Sequence, residues 1–419
     1  MSDTADASLA AGGVRGLLGQ RDYRLFWIAR WTGGLGSQIQ SVALGWQVYT
    51  ISRRSLDVAH SAFNVSLIGL VTFAPLLLLA LPAGESVDRS DRRRVLVICY
   101  LVEMVAVAAL AWATLSGRAG VPLLLAIAVV FGAARAWFSP ALTALAPMLV
   151  PRALLPKAIA WNALAWQSAA IVGPAVAGVL IGFSTGAAYC VTFGLYAAAL
   201  VAVLGIRQPT RPTSHGASRL AAAREGLAYV WSNRVVFGAI SLDLAAVILG
   251  GATALPPAFA RDILHVGPQG FGLLRLGPAI GATIVGLMLA ARPIRAKAGL
   301  IMFIGVGVYG AATLAFGYSH WLAVSIAALA VLGGADMLSV FVRQTLIQLA
   351  TPDPMRGRVA AVSSLFVSAS NELGEFESGL AARFLGAVGA VVFGGYGALA
   401  ATGLWALLFP ALRKADRLE

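Results

Sequence analysis

The sequence contains little charge, little cysteine and little histidine, and each shortage excludes a class of protein. Only 12% of its 419 residues are charged, which is about half the proportion found in a typical soluble domain. Its two cysteines, Cys99 and Cys190, and its four histidines provide neither a disulfide framework nor the spacing of a metal site. We therefore expect no metal site and no cofactor.

The sequence also lacks the short motifs that mark common enzyme active sites. It contains no HExxH zinc motif, no GxSxG nucleophile turn and no GxxxxGK[ST] phosphate loop. These absences argue against an enzyme and against direct use of ATP.

Long apolar runs dominate what is present. Hydrophobic residues make up 59% of the chain, and the mean hydropathy is +0.82. The polar residues fall between runs that approach the roughly 20 residues needed to cross a bilayer. Residues 1–20 have no continuous apolar core, so we expect no cleavable signal peptide. The pattern predicts an all-α membrane protein with twelve transmembrane helices, at residues 24–50, 61–83, 95–115, 121–147, 158–183, 187–206, 235–260, 270–291, 298–317, 321–349, 358–385 and 388–411.

The distribution of positive charge predicts the orientation. Most lysines and arginines outside the spans lie on the side of the two termini, whereas the opposite loops carry Arg53, Arg54, Arg118, Arg261 and Arg383. Positive loops stay in the cytoplasm, so both termini are expected there. The net charge of +13 then reflects topology and attraction to lipid headgroups. We expect a multi-pass protein of the bacterial inner membrane that contacts membrane lipids and no nucleic acid.

The polar stretch between the sixth and seventh spans divides the chain into halves. The predicted domains are an N-terminal cytoplasmic segment (1–23), a six-helix bundle (24–206), a cytoplasmic linker with an amphipathic helix (207–234), a second six-helix bundle (235–411) and a tail (412–419). An offset of 201 residues aligns the halves and suggests a duplication. It pairs Gly132 with Gly333, Pro151 with Pro352, Lys157 with Arg358, Gly173 with Gly374, and Gly178 with Gly379.

The segment GESVDRSDRR between spans 2 and 3 resembles the loop signature of the major facilitator superfamily. Its matching residues are Gly84, Asp88, Arg89, Arg92 and Arg93. Ser86 and Asp91 depart from the signature, where an apolar residue and a second glycine are usual. Gly84 is expected to let the chain turn sharply, and Asp88 to accept hydrogen bonds from arginines or helix-start amides. The resemblance implies that Asp88, Arg89 and Arg92 latch the cytoplasmic gate by docking on span 11; a plain basic loop is the alternative.

Three residues of span 5 are similar to the Gly-Pro motif of the superfamily's antiporter branch. These are Gly173, Pro174 and Gly178. The resemblance implies a seal between the two halves, and ordinary small-residue packing is the alternative. Segments starting at RDYRLFW, VPRALLP and TPDPMRG further resemble its enterobactin-exporter-like and macrolide-efflux-like subgroup, also known as transmembrane secretion effectors. This resemblance implies two pseudo-symmetric six-helix bundles around a central cavity.

Charged residues inside the spans are candidates for substrate binding or proton coupling. The 201-residue offset makes Arg135 of span 4 equivalent to Asp336 of span 10, so opposite charges are expected to face each other across the pathway. A fixed structural ion pair is the alternative. Asp243 of span 7 is a second candidate, and Arg343 is expected to extend its charge to the cytoplasmic surface.

Span 11 carries three carboxylates, Glu372, Glu375 and Glu377, inside an apolar stretch. Helical rise places them in the outer half of the membrane. Because the repeat aligns Glu375 with Pro174, we predict that these acids form a protonatable outer gate where span 11 meets span 2.

The predicted function is that of a secondary active transporter. We expect a monomer that exchanges protons for an amphipathic small molecule, such as a drug or siderophore, by alternating access, with the proton gradient as driving force. An importer of a metabolite or a lipid transporter of the same fold is the alternative. A receptor or scaffold without transport activity is the alternative from another class.

Overall fold

The computed structural model describes residues 13–210, 219–250, 254–292, 294 and 296–413. Parts of the predicted N-terminal segment, linker and tail, at 1–12, 211–218 and 414–419, lie outside the described residues. The main helices are α1 Gly13–Gly19, α2 Arg21–Ser52, α3 Val58–Arg89, α4 Arg92–Leu115, α5 Val121–Leu145, α6 Leu155–Phe183, α7 Thr185–Leu204, α8 Arg219–Ser232, α9 Arg234–Gly250, α10 Gly267–Ala291, α11 Ala298–Gly317, α12 Leu322–Ala350 and α13 Arg356–Leu408.

Short helical turns complete the described connections. They are the 3-10 turns Ala146–Met148, Arg152–Leu154 and Asp353–Met355, the turn Pro256–Ala258, the π-helical turn Phe259–Ile263 and the final turn Pro410–Arg413.

The helices confirm the predicted all-α membrane fold. Among the described residues, nine helices are long and apolar enough to cross a membrane, or ten if the bent pair Arg224–Ser232 and Arg234–Gly250 counts as one span. The 53 residues of α13 would extend about 80 Å, more than twice the thickness of a bilayer core. Gly386 interrupts this helix with a φ of 75°, between the predicted spans 11 and 12. The number twelve stays a prediction.

Local sequence explains where several helices begin. Proline occupies the first turn of α5, α6 and α10, where a missing backbone N–H leaves no helical hydrogen bond unmade. Ser184 caps α7, because its hydroxyl oxygen accepts the N–H of Gly186 at 3.1 Å.

The corner between α3 and α4 differs from the sequence prediction. A sharp turn at Gly84 was wrong, because α3 continues through this residue to Arg89. The chain turns at Ser90 instead. Asp91 then begins α4, and its carboxylate accepts the N–H of Arg93 at 3.0 Å. Asp91, rather than Asp88, therefore caps the free amides of this helix start.

The chain forms two compact units. The first comprises Met1–Leu44 and Val71–Gly216, and the second comprises Gly45–Leu70 and Ala217–Glu419. The boundaries fall within α2 and α3, so each of these helices contributes residues to both units. The second unit thus includes the last residues of α2 and the first residues of α3.

Two glycines show that the units repeat one packing arrangement. In the first unit, a Cβ on Gly132 of α5 would collide with the Thr72 carbonyl oxygen of α3. In the second unit, a Cβ on Gly333 of α12 would collide with the Pro278 carbonyl oxygen of α10. The two glycines are 201 residues apart, and each lets two helix backbones approach closely. This agreement supports the predicted internal repeat.

Candidate functional site

Two of the acids of α13 lie against α3 inside the second unit. A Cβ placed on Gly69 of α3 would lie 3.2 Å from the Glu372 carbonyl oxygen and 3.3 Å from Oε2 of Glu375. The missing side chain at Gly69 thus leaves room for the Glu375 carboxylate. The predicted contact between spans 2 and 11 is present, and its role as a gate stays a prediction.

The same face of α13 continues the contact with α3. Phe376 packs against Phe63 with ring centroids 6.2 Å apart, and the guanidinium of Arg383 lies 5.3 Å from the centroid of the Phe63 ring. Gly379 faces Ser66 so closely that a Cβ would collide with its hydroxyl. Contacting residues three or four apart form one helical stripe. Glu377, the next residue after Phe376, is half-buried.

A polar cluster joins the end of α2 to the π-helical turn before α10, again within the second unit. Tyr49 donates its hydroxyl to Oδ2 of Asp262 at 2.5 Å, and Arg53 donates Nη2 to Oδ1 at 3.1 Å. Nη1 of Arg53 also donates to the Leu56 carbonyl oxygen at 2.6 Å. We call Tyr49, Arg53 and Asp262 the outer cluster, since Arg53 belongs to the loops predicted outside.

The outer cluster favours an ionised Asp262. Burial alone would raise the pKa of this carboxyl, but the hydrogen bonds from Arg53 and Tyr49 outweigh burial and hold the pKa below its ordinary value. The hydrogen bond to Asp262 correspondingly raises the pKa of Arg53. The cluster therefore keeps its charges, and its hydrogen bonds, across the neutral pH range.

A second pair of opposite charges lies deep in the second unit. Asp243 of α9 forms a salt bridge with Arg343 of α12 through Oδ2 and Nη1. The Arg343 side chain is 1% exposed and that of Asp243 is 8% exposed. The expectation that Arg343 reaches the cytoplasmic surface was therefore wrong, because the carboxylate of Asp243 offers its guanidinium a nearer partner. We call these two residues the inner pair.

The inner pair leaves part of the guanidinium without a hydrogen bond. Nε and Nη2 of Arg343 are buried and have no hydrogen-bond partner among the described residues. A buried donor without a partner costs about 1–3 kcal/mol, and more when it is charged. The present arrangement thus does not satisfy this arginine fully.

Arg135 and Asp336 belong to different units. Arg135 lies on α5 of the first unit and interacts electrostatically with Glu103 of α4. Asp336 lies half-buried on α12 of the second unit, in electrostatic contact with Tyr309 of α11. Their predicted pairing across the pathway stays a prediction.

The loop-signature arginines bind the ends of neighbouring helices in the first unit. Arg92 donates Nη1 to the sulfur of Met148 at 2.7 Å, and Arg93 donates Nε to the Val203 carbonyl oxygen at 3.2 Å. Arg93 also donates to the Leu204 carbonyl oxygen and so caps the end of α7. These two side chains have a structural role in the first unit.

Asp88 and Arg89 close the last turn of α3. Their predicted function in a cytoplasmic latch, together with Arg92, stays a prediction.

The antiporter-like residues Gly173, Pro174 and Gly178 are buried on α6. Gly173 faces Gln38 of α2 so closely that a Cβ would collide with its side chain. This contact lies within the first unit and is the close packing that small residues permit. The sealing role stays a prediction.

Sequence reasoning missed the outer cluster and the pairing of Arg343. Asp243 lies nine residues into α9 and Arg343 seven residues before the end of α12, so each is about 10–14 Å along its helix from an end that the sequence predicts on the cytoplasmic side. Opposite charges at equal depth were the available signal for the inner pair. Nothing in the spacing links Asp262 to Arg53, which is more than 200 residues away.

Comparison with known proteins agrees with this architecture. Residues 16–419 match the family model described as transmembrane secretion effector. The chain is 28% identical over 405 residues to the multidrug efflux pump Tap of Mycobacterium bovis and of Mycobacterium tuberculosis, covering 91% of this chain and 91% of each relative.

Solved structures show the same fold at low sequence identity. A POT family transporter in complex with 5-aminolevulinic acid superposes with a TM-score of 0.72 at 10% identity, covering 94% of this chain and 97% of that one. An inward-facing bacterial homologue of the human lysosomal transporter Spinster gives 0.72 at 16% identity with the same coverages. A D-xylose–proton symporter gives 0.70 at 13% identity, covering 92% and 96%.

The family match spans nearly the whole chain, and helices of membrane-crossing length recur along it. The Tap relatives are efflux pumps over the same length. The chain therefore belongs to the transmembrane secretion effector family and is a multi-pass membrane transporter of the major facilitator type, not an enzyme.

Proposed function

We propose that this transporter exports an amphipathic small molecule, such as a drug or siderophore, in exchange for protons. It works as a monomer by alternating access in the bacterial inner membrane, with both termini in the cytoplasm. The observation that carries efflux is the full-length similarity to a multidrug efflux pump. That similarity extends over both units, including the helices that carry the intramembrane acids.

Proton exchange is supported by the acids on helices of the second unit. Asp243, Asp336, Glu372, Glu375 and Glu377 all lie on α9, α12 or α13. An ionisable side chain in a membrane helix is costly and is retained where it binds ions, protons or substrate. A carboxyl group that alternates between an apolar and a wet surrounding binds a proton in the first and releases it in the second.

Contacts of α3 with α13 support an outer gate. The stripe from Glu372 to Arg383 contacts the first part of α3, and the outer cluster holds the end of α2 beside the turn before α10. We propose that both sets separate when the transporter opens to the outside. Glu372 and Glu375 then meet water and exchange protons there.

Transport by the purified protein in liposomes tests the proposal. Ethidium is a suitable probe because it is an amphipathic cation with a permanent charge, so a pH gradient alone does not trap it. Liposomes with an acidic interior should accumulate ethidium in exchange for departing protons, and liposomes with an alkaline interior should not. Accumulation driven by the opposite gradient would indicate symport and contradict antiport.

Variants then distinguish the acids. Glu372→Gln combined with Glu375→Gln should weaken the pH dependence of transport and opening to the outside. The pH dependence of transport by Asp336→Asn is measured in the same way and tests the acid on α12. Normal pH dependence and normal outward opening in the double variant would contradict the gate assignment, while leaving efflux itself intact. Absence of movement for ethidium, for uncharged drugs and for siderophores would contradict the transport proposal.

A further inference from the structure

The inner pair unites three features that the outer gate does not explain. Asp243 and Arg343 lie on α9 and α12, which pack directly against each other in the second unit. Both side chains are more than nine-tenths buried. Two of the three guanidinium nitrogens have no hydrogen-bond partner among the described residues.

Stability alone gives a poor reason for such a pair. Removing two charges from water costs several kcal/mol for each ion, and their attraction repays that cost only when the remaining donors and acceptors are satisfied. Apolar residues of similar size are often equally stable or more stable at such positions. Nε and Nη2 of Arg343 have no hydrogen-bond acceptor in this conformation, within the part of the chain that the structure describes. They indicate a second conformation of the protein in which the guanidinium has more acceptors.

We propose that Arg343 is a positioning residue for proton coupling and acts through Asp243. While Asp243 is ionised, the salt bridge holds α9 against α12. When a proton from water binds the Asp243 carboxylate, Arg343 loses its counter-charge, and the helices separate until its guanidinium reaches water or another acceptor. Release of that proton to the opposite side restores the salt bridge. This inference rests on the proton-coupled transport proposed above.

The physical basis is the cost of an unpaired buried charge. Breaking a buried pair by neutralising one partner costs about 3–5 kcal/mol when nothing moves. A free energy of this size shifts a two-state equilibrium by two to four powers of ten. Protonation of one carboxylate is therefore sufficient to change the preferred conformation of two packed helices.

Other titratable groups lie on the elements that pack against α9, which are α8, α11, α12, α13 and the final turn Pro410–Arg413 with Arg413. Glu225 of α8 pairs with Arg358 of α13. Tyr229, also of α8, donates its hydroxyl to the Ala350 carbonyl oxygen at the end of α12. Tyr309 of α11 donates to the Gly250 carbonyl oxygen. Asp336 is two helical turns from Arg343 on α12. The remaining acids of α13 are Glu372 and Glu375, beside Gly69, and the half-buried Glu377. Among the described residues, Arg343 is the charged group bonded to Asp243.

The test replaces both charges at once. Asp243→Asn with Arg343→Gln preserves size and hydrogen-bonding groups but removes the charges. We expect this variant to fold. Accumulation driven by the pH gradient should fall by at least tenfold. Asp353→Asn with Arg356→Gln, which removes an exposed pair within one turn, is the matched control and should accumulate normally.

Infrared difference spectroscopy gives a readout that does not depend on transport. Lowering the pH should produce a carbonyl band of a protonated carboxyl group in the wild type, and Asp243→Asn with Arg343→Gln should lack it. In Arg343→Gln alone, the band should be present before and after the pH is lowered, because a buried carboxyl group without a counter-charge stays neutral. Arg343→Lys should restore the pH-dependent band in part.

The outcomes separate this inference from the proposed function. If the wild type shows no proton-driven accumulation, proton coupling itself fails. If the wild type accumulates ethidium and the doubly neutral variant accumulates it equally well, the inner pair is only structural and this inference is overturned. Should the doubly neutral variant not fold, a band in Arg343→Gln that retains the pH dependence of the wild type overturns the inference.

Discussion

The outer cluster and the inner pair place the same two residue types in opposite surroundings. In the outer cluster, the side chains of Arg53 and Asp262 are 24% and 19% exposed, and the carboxylate accepts hydrogen bonds from both arginine and Tyr49. In the inner pair, Arg343 and Asp243 are 1% and 8% exposed, and two arginine nitrogens have no partner. Both pairs join segments that are far apart in the sequence.

This difference in burial determines how much free energy each pair loses when one of its two charges is removed. Water near the outer cluster can solvate an arginine or aspartate that loses its partner, so breaking this cluster costs little. The inner pair is more than nine-tenths buried in this conformation, so a lost charge there must be compensated by movement. A transporter gains from having both: a contact that opens readily on one surface, and a buried contact whose opening requires a proton.

The largest effect is expected from Asp243→Asn. The variant leaves the Arg343 charge buried without a carboxylate, which should lower the free energy of unfolding by about 3–5 kcal/mol. Thermal unfolding in detergent measures this loss. Combining Asp243→Asn with Arg343→Gln should recover most of the lost stability, since no uncompensated charge remains. A single variant as stable as the wild type would show that water already reaches the inner pair.

A smaller effect is expected from Asp262→Asn in the outer cluster. A hydrogen bond to a charged group contributes about 1.5–3 kcal/mol, and partial exposure reduces this to about 1 kcal/mol. Hydrogen exchange in the turn Phe259–Ile263 should accelerate several-fold, while exchange in α12 stays unchanged. Asp353→Asn is the matched control because this exposed aspartate pairs with Arg356 within its own turn, away from the outer cluster. Equal acceleration in both variants would contradict a specific role for Asp262.

The sequence was sufficient for the fold and insufficient for the pairing of charges. Apolar runs, the Gly84–Arg93 signature and the 201-residue offset indicated the helices, the family and the equivalent glycines, because these features are local or periodic. The contact of Glu375 with α3 also followed from the repeat. The partner of Arg343 did not, because snorkelling and pairing are both consistent with a cation near the end of a span. Tertiary packing decides between them.

The pH response of the outer cluster should lie outside the physiological range. The pKa of Asp262 in the folded protein is below the ordinary value of 3.8, so its stabilising contribution is fully present above that value and is lost as the pH falls through the lower one. The difference in unfolding temperature between wild type and Asp262→Asn should therefore be constant from about pH 5 to pH 8 and shrink in stronger acid. A difference that already changes near pH 7 would contradict the hydrogen-bond geometry of the cluster.

The smallest effect is expected where Arg383 meets Phe63. A cation over an aromatic ring at an exposed site contributes about 0.5–1 kcal/mol, so Arg383→Gln should raise the rate at which α3 leaves α13 by only a few-fold. Hydrogen exchange around Phe63 measures this change. Arg118→Gln is a close control, because Arg118 follows the end of α4 and its guanidinium lies 5.4 Å from the centroid of the Trp112 ring on that helix, so the contact does not join two helices. The control should leave exchange around Phe63 unchanged, since its contact joins residues six apart. If Arg383→Gln also leaves it unchanged, the stripe is held by the close packing at Gly69 and Gly379 and by the contact between Phe63 and Phe376, and opening of the outer surface depends on the acids and the outer cluster.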